Sequence, residues 1–196
     1  MREIKIKVYT FKELPENIQS DLIDRYRYEE VEYQWWSWVL DNYIDEVEKK
    51  WGIELENSPT FDLEVGNYIV FGGNLNKKRL LKALYKEGDI SKKAYYKLTN
   101  RVNIEYFELN LLTGQYRNTI EYIDFSEEDK NGKYITDYLI DEIDLDEWFR
   151  DVISKPALKQ LKETFDCLIS DEYIEEMIEI NEWEFTIDGK IIWEEG

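Results

Sequence analysis

Apolar residues recur along this chain with two periods, and the switches between them mark out helices and strands. Ile4, Ile6 and Val8 alternate with Glu3, Lys5 and Lys7, the period-two pattern of a half-buried strand near the N-terminus. Pro15 stands where a first helical position would fall, and Ile18, Leu22 and Tyr26 recur every four residues, which predicts a first helix. A second is predicted over 34–51. There Trp35, Val39, Tyr43, Val47 and Trp51 form one row, Trp36, Leu40 and Ile44 form its neighbour, and Gly52 suits the C-terminal stop. Rows of large rings at this spacing read as core, because each ring contributes its full apolar area to packing.

From 53 to 75 the pattern turns β-like. Pro59 interrupts one short strand, Gly66-Asn67 makes a turn before Tyr68-Ile69-Val70-Phe71, and Gly72-Gly73 ends that strand. Two short helices hinged at Gly88 occupy 77–101, with inner faces Leu80, Leu81, Leu84 and Tyr85, then Ala94, Tyr95 and Leu98. Residues 102–112 and 116–125 read as a hairpin joined at Thr113-Gly114-Gln115, and a loop follows over 126–133. One straight helix over 134–153 would set Glu142 and Asp146 among Ile135, Leu139, Ile143, Phe149 and Ile153, so a break is predicted near Asp144. Asp144 followed by Glu147 resembles a capping box for a new helix with Leu145, Trp148, Phe149, Val152 and Ile153 inside. Pro156 opens the next helix, in which Leu158, Leu161, Phe165, Leu168 and Ile169 share a face and Cys167 points nearly opposite. Ser170 caps a final helix beginning Asp171-Glu172, and Ile187-Asp188-Gly189-Lys190-Ile191 signals a hairpin. The fold class predicted is α+β: an antiparallel sheet of about four to six strands packed with several amphipathic helices, in a single domain over 1–196.

Charge adds a polarity to this picture. The 196 residues hold 44 acidic and 25 basic side chains, a net −19. Residues 1–100 have 18 acids against 16 bases and residues 101–196 have 26 against 9, so two lobes, one near neutral and one strongly acidic, are compatible with the sequence. Seven Trp, fifteen Tyr and eight Phe place the acidity on a folded surface rather than a disordered tail. Solubility alone would also account for an acidic surface.

Histidine is absent, which removes the usual near-neutral proton shuttle and the commonest transition-metal ligand, and the single Cys167 has no disulfide partner in the chain. No cofactor, metal site or catalytic group is expected. The acidic pairs Asp141-Glu142, Asp146-Glu147 and Glu175-Glu176 lack the context that would single out a glycosidase pair. The stretch Asp124-Phe125-Ser126-Glu127-Glu128-Asp129 puts Asp129 where a calcium loop needs its turn glycine. Gly66, Gly72 and Gly73 lack the lysine and spacing of a phosphate-cradling loop. The first residues show no apolar run leading to a cleavage site, so a cytoplasmic location in a bacterial host, with no membrane span, is the expectation.

What remains is a candidate partner-binding surface. Asp137 and Asp141 lie one turn apart, as do Glu147 and Asp151, and with Asp144 they could line a negative ridge beside Glu127, Glu128 and Asp129. Such a ridge imitates a row of phosphates, and the expected partner is a bacterial protein with a basic nucleic-acid-binding surface. The basic segment from Lys77 to Arg101 leaves open a contact with nucleic acid or pairing with the acidic half in a homodimer. At a net −19, direct non-specific nucleic-acid binding is disfavoured, because the long-range field repels phosphate.

Several stretches add a resemblance. Val8-Tyr9-Thr10-Phe11 with Glu13-Leu14, then Glu32-Tyr33-Gln34-Trp35-Trp36, and later Leu168-Ile169-Ser170-Asp171-Glu172 with Phe185-Thr186-Ile187-Asp188-Gly189 resemble a family of small acidic proteins of bacteriophages and prophages, sometimes labelled antitoxins. The chain departs from that family at Glu64-Val65-Gly66-Asn67-Tyr68-Ile69-Val70-Phe71, where relatives have a polar, glycine-rich stretch. The resemblance implies an accessory role. The function expected is a non-enzymatic inhibitor of a bacterial nucleic-acid-handling defence protein, of anti-CRISPR or antirestriction type. The alternatives are an antitoxin and a small nucleotide-binding module or enzyme using Gly66–Gly73.

Overall fold

The computed structural model describes residues 6–32, 34–101, 106–109 and 142–192. In chain order its elements are α1 (Glu16–Tyr26), α2 (Ser37–Trp51), β1 (Ile53–Leu55), β2 (Thr60–Asp62), β3 (Tyr68–Val70), β4 (Gly73–Asn76), α3 (Lys77–Glu87), α4 (Lys92–Arg101), β5 (Tyr106–Leu109), α5 (Leu145–Phe149), α6 (Lys155–Leu168) and α7 (Asp171–Ile180). A π-helical turn, Arg150–Ser154, joins α5 to α6. The α+β class holds. In place of one sheet of about four to six strands, the described residues form two small antiparallel ones, β1-β4-β5 and β2-β3.

Gly73 separates the two sheets. A Cβ there would stand 2.2 Å from the Glu54 carbonyl oxygen, so only glycine lets β4 approach β1 in the register Ile53↔Leu75 and Leu55↔Gly73. The chain bends at Phe71-Gly72, which leaves β3 paired with β2 through Phe61↔Ile69. The hairpin expected over 102–125 is described only at β5, antiparallel to β4; its turn lies outside the described residues, as do 110–141 altogether.

The chain divides into two compact units, Met1–Trp35 with Glu163–Gly196, and Trp36–Lys162. In the first, Phe11 and Leu14, Leu22 and Ile23 of α1, Ile174, Met177 and Ile178 of α7, and Phe185 are buried in one cluster. Phe185 bridges Tyr9 on one side and Ile191 on the other. The N-terminal strand is thereby corrected. Ile6 and Val8 are exposed, and Tyr9, one step out of their phase, packs against the core while Lys7 Nζ lies 4.7 Å from its ring centre. A one-residue change of register reverses which side chains face inward, and the bulkier aromatic takes the inner position. Arg27 at the end of α1 donates to the Ile169 carbonyl at 2.7 Å and pairs with Asp171 at 2.7 Å and Asp24 at 2.9 Å, tying the end of α1 to the start of α7.

In the second unit, α2 starts at Ser37 rather than 34; it buries Val39, Tyr43, Val47 and Trp51 of the row read from its spacing and Leu40 of the neighbouring row, while Trp35 and Trp36 precede it half-buried, and it ends at Gly52 with φ +71°. Trp51 meets Trp148 edge-on at 4.8 Å. Asp144 caps α5, its carboxylate accepting the Glu147 N–H at 3.0 Å, so the helix start expected there is present, while 134–141 ahead of it lie outside the described residues. Pro156 does not open a separate helix. Helical backbone runs from Leu145 to Leu168, and the π turn ahead of Pro156 sends the Lys155 N–H to the Arg150 carbonyl, widening the helix where the ring removes a donor. The buried Tyr43 hydroxyl donates to the Ile153 carbonyl at 2.5 Å, and burial pushes the phenol pKa up.

Candidate functional site

Of the eight acidic residues expected to form a ridge, Glu127, Glu128, Asp129, Asp137 and Asp141 lie outside the described residues. The other three are held by local work. Asp144 is a helix cap. Glu147 lies 3.8 Å from Arg150, and Asp151 lies 3.6 Å from Arg150 and 2.7 Å from Lys155. Hydrogen bonding to Lys155 is the largest of the influences holding the Asp151 carboxyl below its ordinary pKa. Residues 142–155 hold five acids against Arg150 and Lys155, a net −3, but Glu147 and Asp151 are offset by those two cations beside them. Glu142 is turned away from the helix that follows it: its carboxylate accepts the Ser91 N–H at 2.9 Å and the Ser91 hydroxyl at 2.8 Å, and those bonds lower its pKa.

The two units redistribute the charge that the halves of the sequence suggested. Met1–Trp35 with Glu163–Gly196 contains 20 acidic and 7 basic residues, a net −13, in about a third of the chain. Trp36–Lys162 contains 24 and 18, a net −6. The strongest field therefore belongs to the unit that joins both ends of the chain, which a division at residue 100 splits in two.

Within that unit α7 presents the densest row. Its buried face is Ile174, Met177 and Ile178, and its other face exposes Asp171, Glu172, Glu175, Glu176 and Glu179. Asp171 pairs with Arg27, and Glu179 pairs with Lys12 at 2.6 Å. Glu172, Glu175 and Glu176 pair with no cation among the described residues. Three carboxylates at i, i+3 and i+4 on a helix anchored by its apolar face form a fixed anionic surface. The spacing was present in the sequence, but Asp171-Glu172 served as a dipole complement and Glu175-Glu176 as one acidic pair among many. The Ser170 hydroxyl caps the helix by accepting the Tyr173 N–H at 3.3 Å.

The glycine region offers anions little. The Asp62 carboxylate accepts the N–H groups of Glu64 at 2.8 Å and Val65 at 3.0 Å, taking up loop donors that a phosphate would need, and these bonds lower its pKa. Gly72 lies against the Glu56 carboxylate, where a Cβ would come within 2.4 Å of Glu56 Oε2. Two carboxylates at the loop oppose a nucleotide phosphate. Among the described residues no group of three or more His, Cys, Asp or Glu could hold a metal ion, and no helix is long and apolar enough to cross a membrane. Cys167 is exposed.

No protein-family model, curated protein or solved structure matches this chain.

Proposed function

We propose that this protein is a non-enzymatic binding protein that docks through its acidic unit onto the basic, nucleic-acid-handling surface of a bacterial protein, and so blocks it in the manner of a phage-encoded anti-defence inhibitor. The observation supporting this reading is the concentration of a net −13 in the unit of Met1–Trp35 and Glu163–Gly196, with Glu172, Glu175 and Glu176 on one exposed helix face. A Lys/Arg groove that gains affinity from phosphates by releasing counterions would gain it from this face in the same way. The phage connection rests on the sequence resemblance.

The test uses capture from bacterial lysate at about 50 and about 200 mM salt, followed by displacement with duplex DNA. The captured protein is expected to be a nucleic-acid binder, released by salt and displaced by DNA. Changing Glu172, Glu175 and Glu176 together to Lys removes three exposed attractions and adds three repulsions, each about 0.5 kcal/mol. The sum, about 3 kcal/mol, weakens binding about a hundredfold. Circular dichroism should be unchanged, since none of the three is buried. Capture that ignores salt and DNA, or that survives the triple change, refutes the reading.

A further inference from the structure

The hairpin of α3 and α4 shows a different chemistry. Sequence spacing assigned Tyr85 to the core, yet it is 38% exposed, and Tyr96 is 53% exposed. Tyr85 and Tyr95 stack across the two helices at 5.0 Å with 16° between their planes, and Tyr96 meets Tyr95 edge-on at 5.5 Å. On α3 the exposed Lys82 and Lys86, one turn apart, stand three positions before and one position after Tyr85, and Lys92 on α4 has its ammonium 5.9 Å from the Tyr96 ring centre. Lys82, Lys86 and Lys92 have no anionic partner among the described residues.

Of the two acids in this segment, one is neutralised by an ion pair and the other keeps its charge in a hydrogen bond to a neutral donor. Glu87 pairs with Lys50 at 3.2 Å, and Asp89 accepts the Trp148 indole N–H at 3.2 Å. Glu142 is hydrogen-bonded to Ser91 and lies close enough to Lys93 to influence it, so Lys93 is left out of the count of available cations. The result is three open lysines on the two helices that carry two exposed tyrosine rings fixed by a third.

We propose that this face binds single-stranded nucleic acid, with the lysines on phosphates and a base stacked on Tyr96 or Tyr85. Cations alone would suit any polyanion. Ring faces select for a strand whose bases are free to stack, because a duplex keeps its bases inside. The whole-chain charge does not forbid this, since with a screening length of about 8 Å at physiological salt the charges on the face itself weigh most in contact with a ligand. This inference stands apart from the acidic-face reading, which concerns the other unit.

The experiment is fluorescence anisotropy of a labelled oligonucleotide of about 12 nucleotides with the full chain, across about 50–200 mM salt. Binding should weaken with salt, and a duplex of equal length should bind less well. Lys82→Ala with Lys86→Ala should reduce the slope of log K against log salt by about 1.4. Tyr96→Ala should weaken binding about tenfold and Tyr96→Trp should preserve it, because stacking needs only a ring. Circular dichroism on each variant checks the fold. The proposal is overturned if no oligonucleotide binds at the lowest salt, if Tyr96→Ala binds as well as the parent, or if duplex binds as tightly as single strand. It is also overturned if the lysine variant loses only a concentration-dependent self-association, which would assign the face to a second copy of the chain.

Discussion

Replacing Phe185 by Ala tests the grouping of the two chain ends on which the acidic-face reading depends. Phe185 is fully buried, its backbone exchanges two hydrogen bonds with Tyr9, each 2.9 Å, and its ring lies in the cluster formed by Phe11, Leu14, Leu22, Ile23, Ile174, Met177 and Ile178. Removing a buried Phe ring costs about 3–5 kcal/mol when the cavity cannot close. Here the neighbours come from two helices and the turn at Phe11–Leu14, so collapse around the hole would have to move several elements at once. Against a typical stability of about 5–15 kcal/mol for a whole protein, that loss is large enough to open a unit of this size. Hydrogen exchange read by mass spectrometry is the suitable assay, because it resolves segments. Protection in the peptides containing Phe11–Tyr26 and Asp171–Ile191 should fall together, while peptides from α2 and α3 keep theirs. If only the C-terminal peptides lose protection, the N-terminal segment is not part of the same cooperative unit. A cost below about 1 kcal/mol would show that Phe185 is not a core residue.

Gly189→Ala should destabilise the same unit by about 1–2 kcal/mol in a urea melt, since φ is +75° and the new Cβ would lie 2.9 Å from Ile18 Cγ2. Tyr43→Phe should cost about 1–1.5 kcal/mol in the other unit by leaving the Ile153 carbonyl without its donor; an unchanged melting point would discount that bond. Asp188 is bonded to Lys190 and Thr186, and Lys190 is the larger cause of a pKa lowered from the ordinary 3.8 to about 2. A depressed carboxylate stabilises the folded state above its unfolded pKa. Its contribution is therefore complete above pH 3.8 and is lost as pH falls towards 2. An acid titration of Asp188→Asn should be flatter than the parent between those values, and identical slopes would remove the assignment.

Local rules were readable where one residue decides the outcome. Asp144, Ser170, Gly52 and Gly88 each stop or start a helix through their own side chain or backbone freedom, and all four act as their types suggest. The α2 row was readable because Val39, Tyr43, Val47 and Trp51 agree on one face. Features set by distant contacts were not. The inward turn of Tyr9 depends on pairing with Phe185, and no period within six residues encodes that register. Pro156 looks like a helix start unless the preceding turn can widen, and Arg150–Ser154 does so while the Tyr43 hydroxyl takes the Ile153 carbonyl from another helix. Tyr85 fits the inner face of α3 by spacing but is drawn to the helix edge by stacking on Tyr95.

The candidate site shows the same limit at larger scale. Charge summed along the sequence favours the segment after residue 100, but repulsion and attraction act through space, so the relevant sum is over residues that fold together. Joining the first 35 residues to Glu163–Gly196 makes one unit of net −13, whereas the anions at Glu147 and Asp151 are offset by Arg150 and Lys155 beside them. Conversely, Glu87 dilutes the basic segment on paper yet is paired with Lys50, while Asp89, bonded to the neutral Trp148 indole, keeps its charge. An ion pair subtracts a charge from the surface field wherever it forms, so the acidic face and the basic face are both defined by what their neighbours leave unpaired. The two proposals consequently make opposite demands on a ligand: a cation-rich protein groove at α7, and a strand of phosphates and bases at the tyrosine–lysine hairpin.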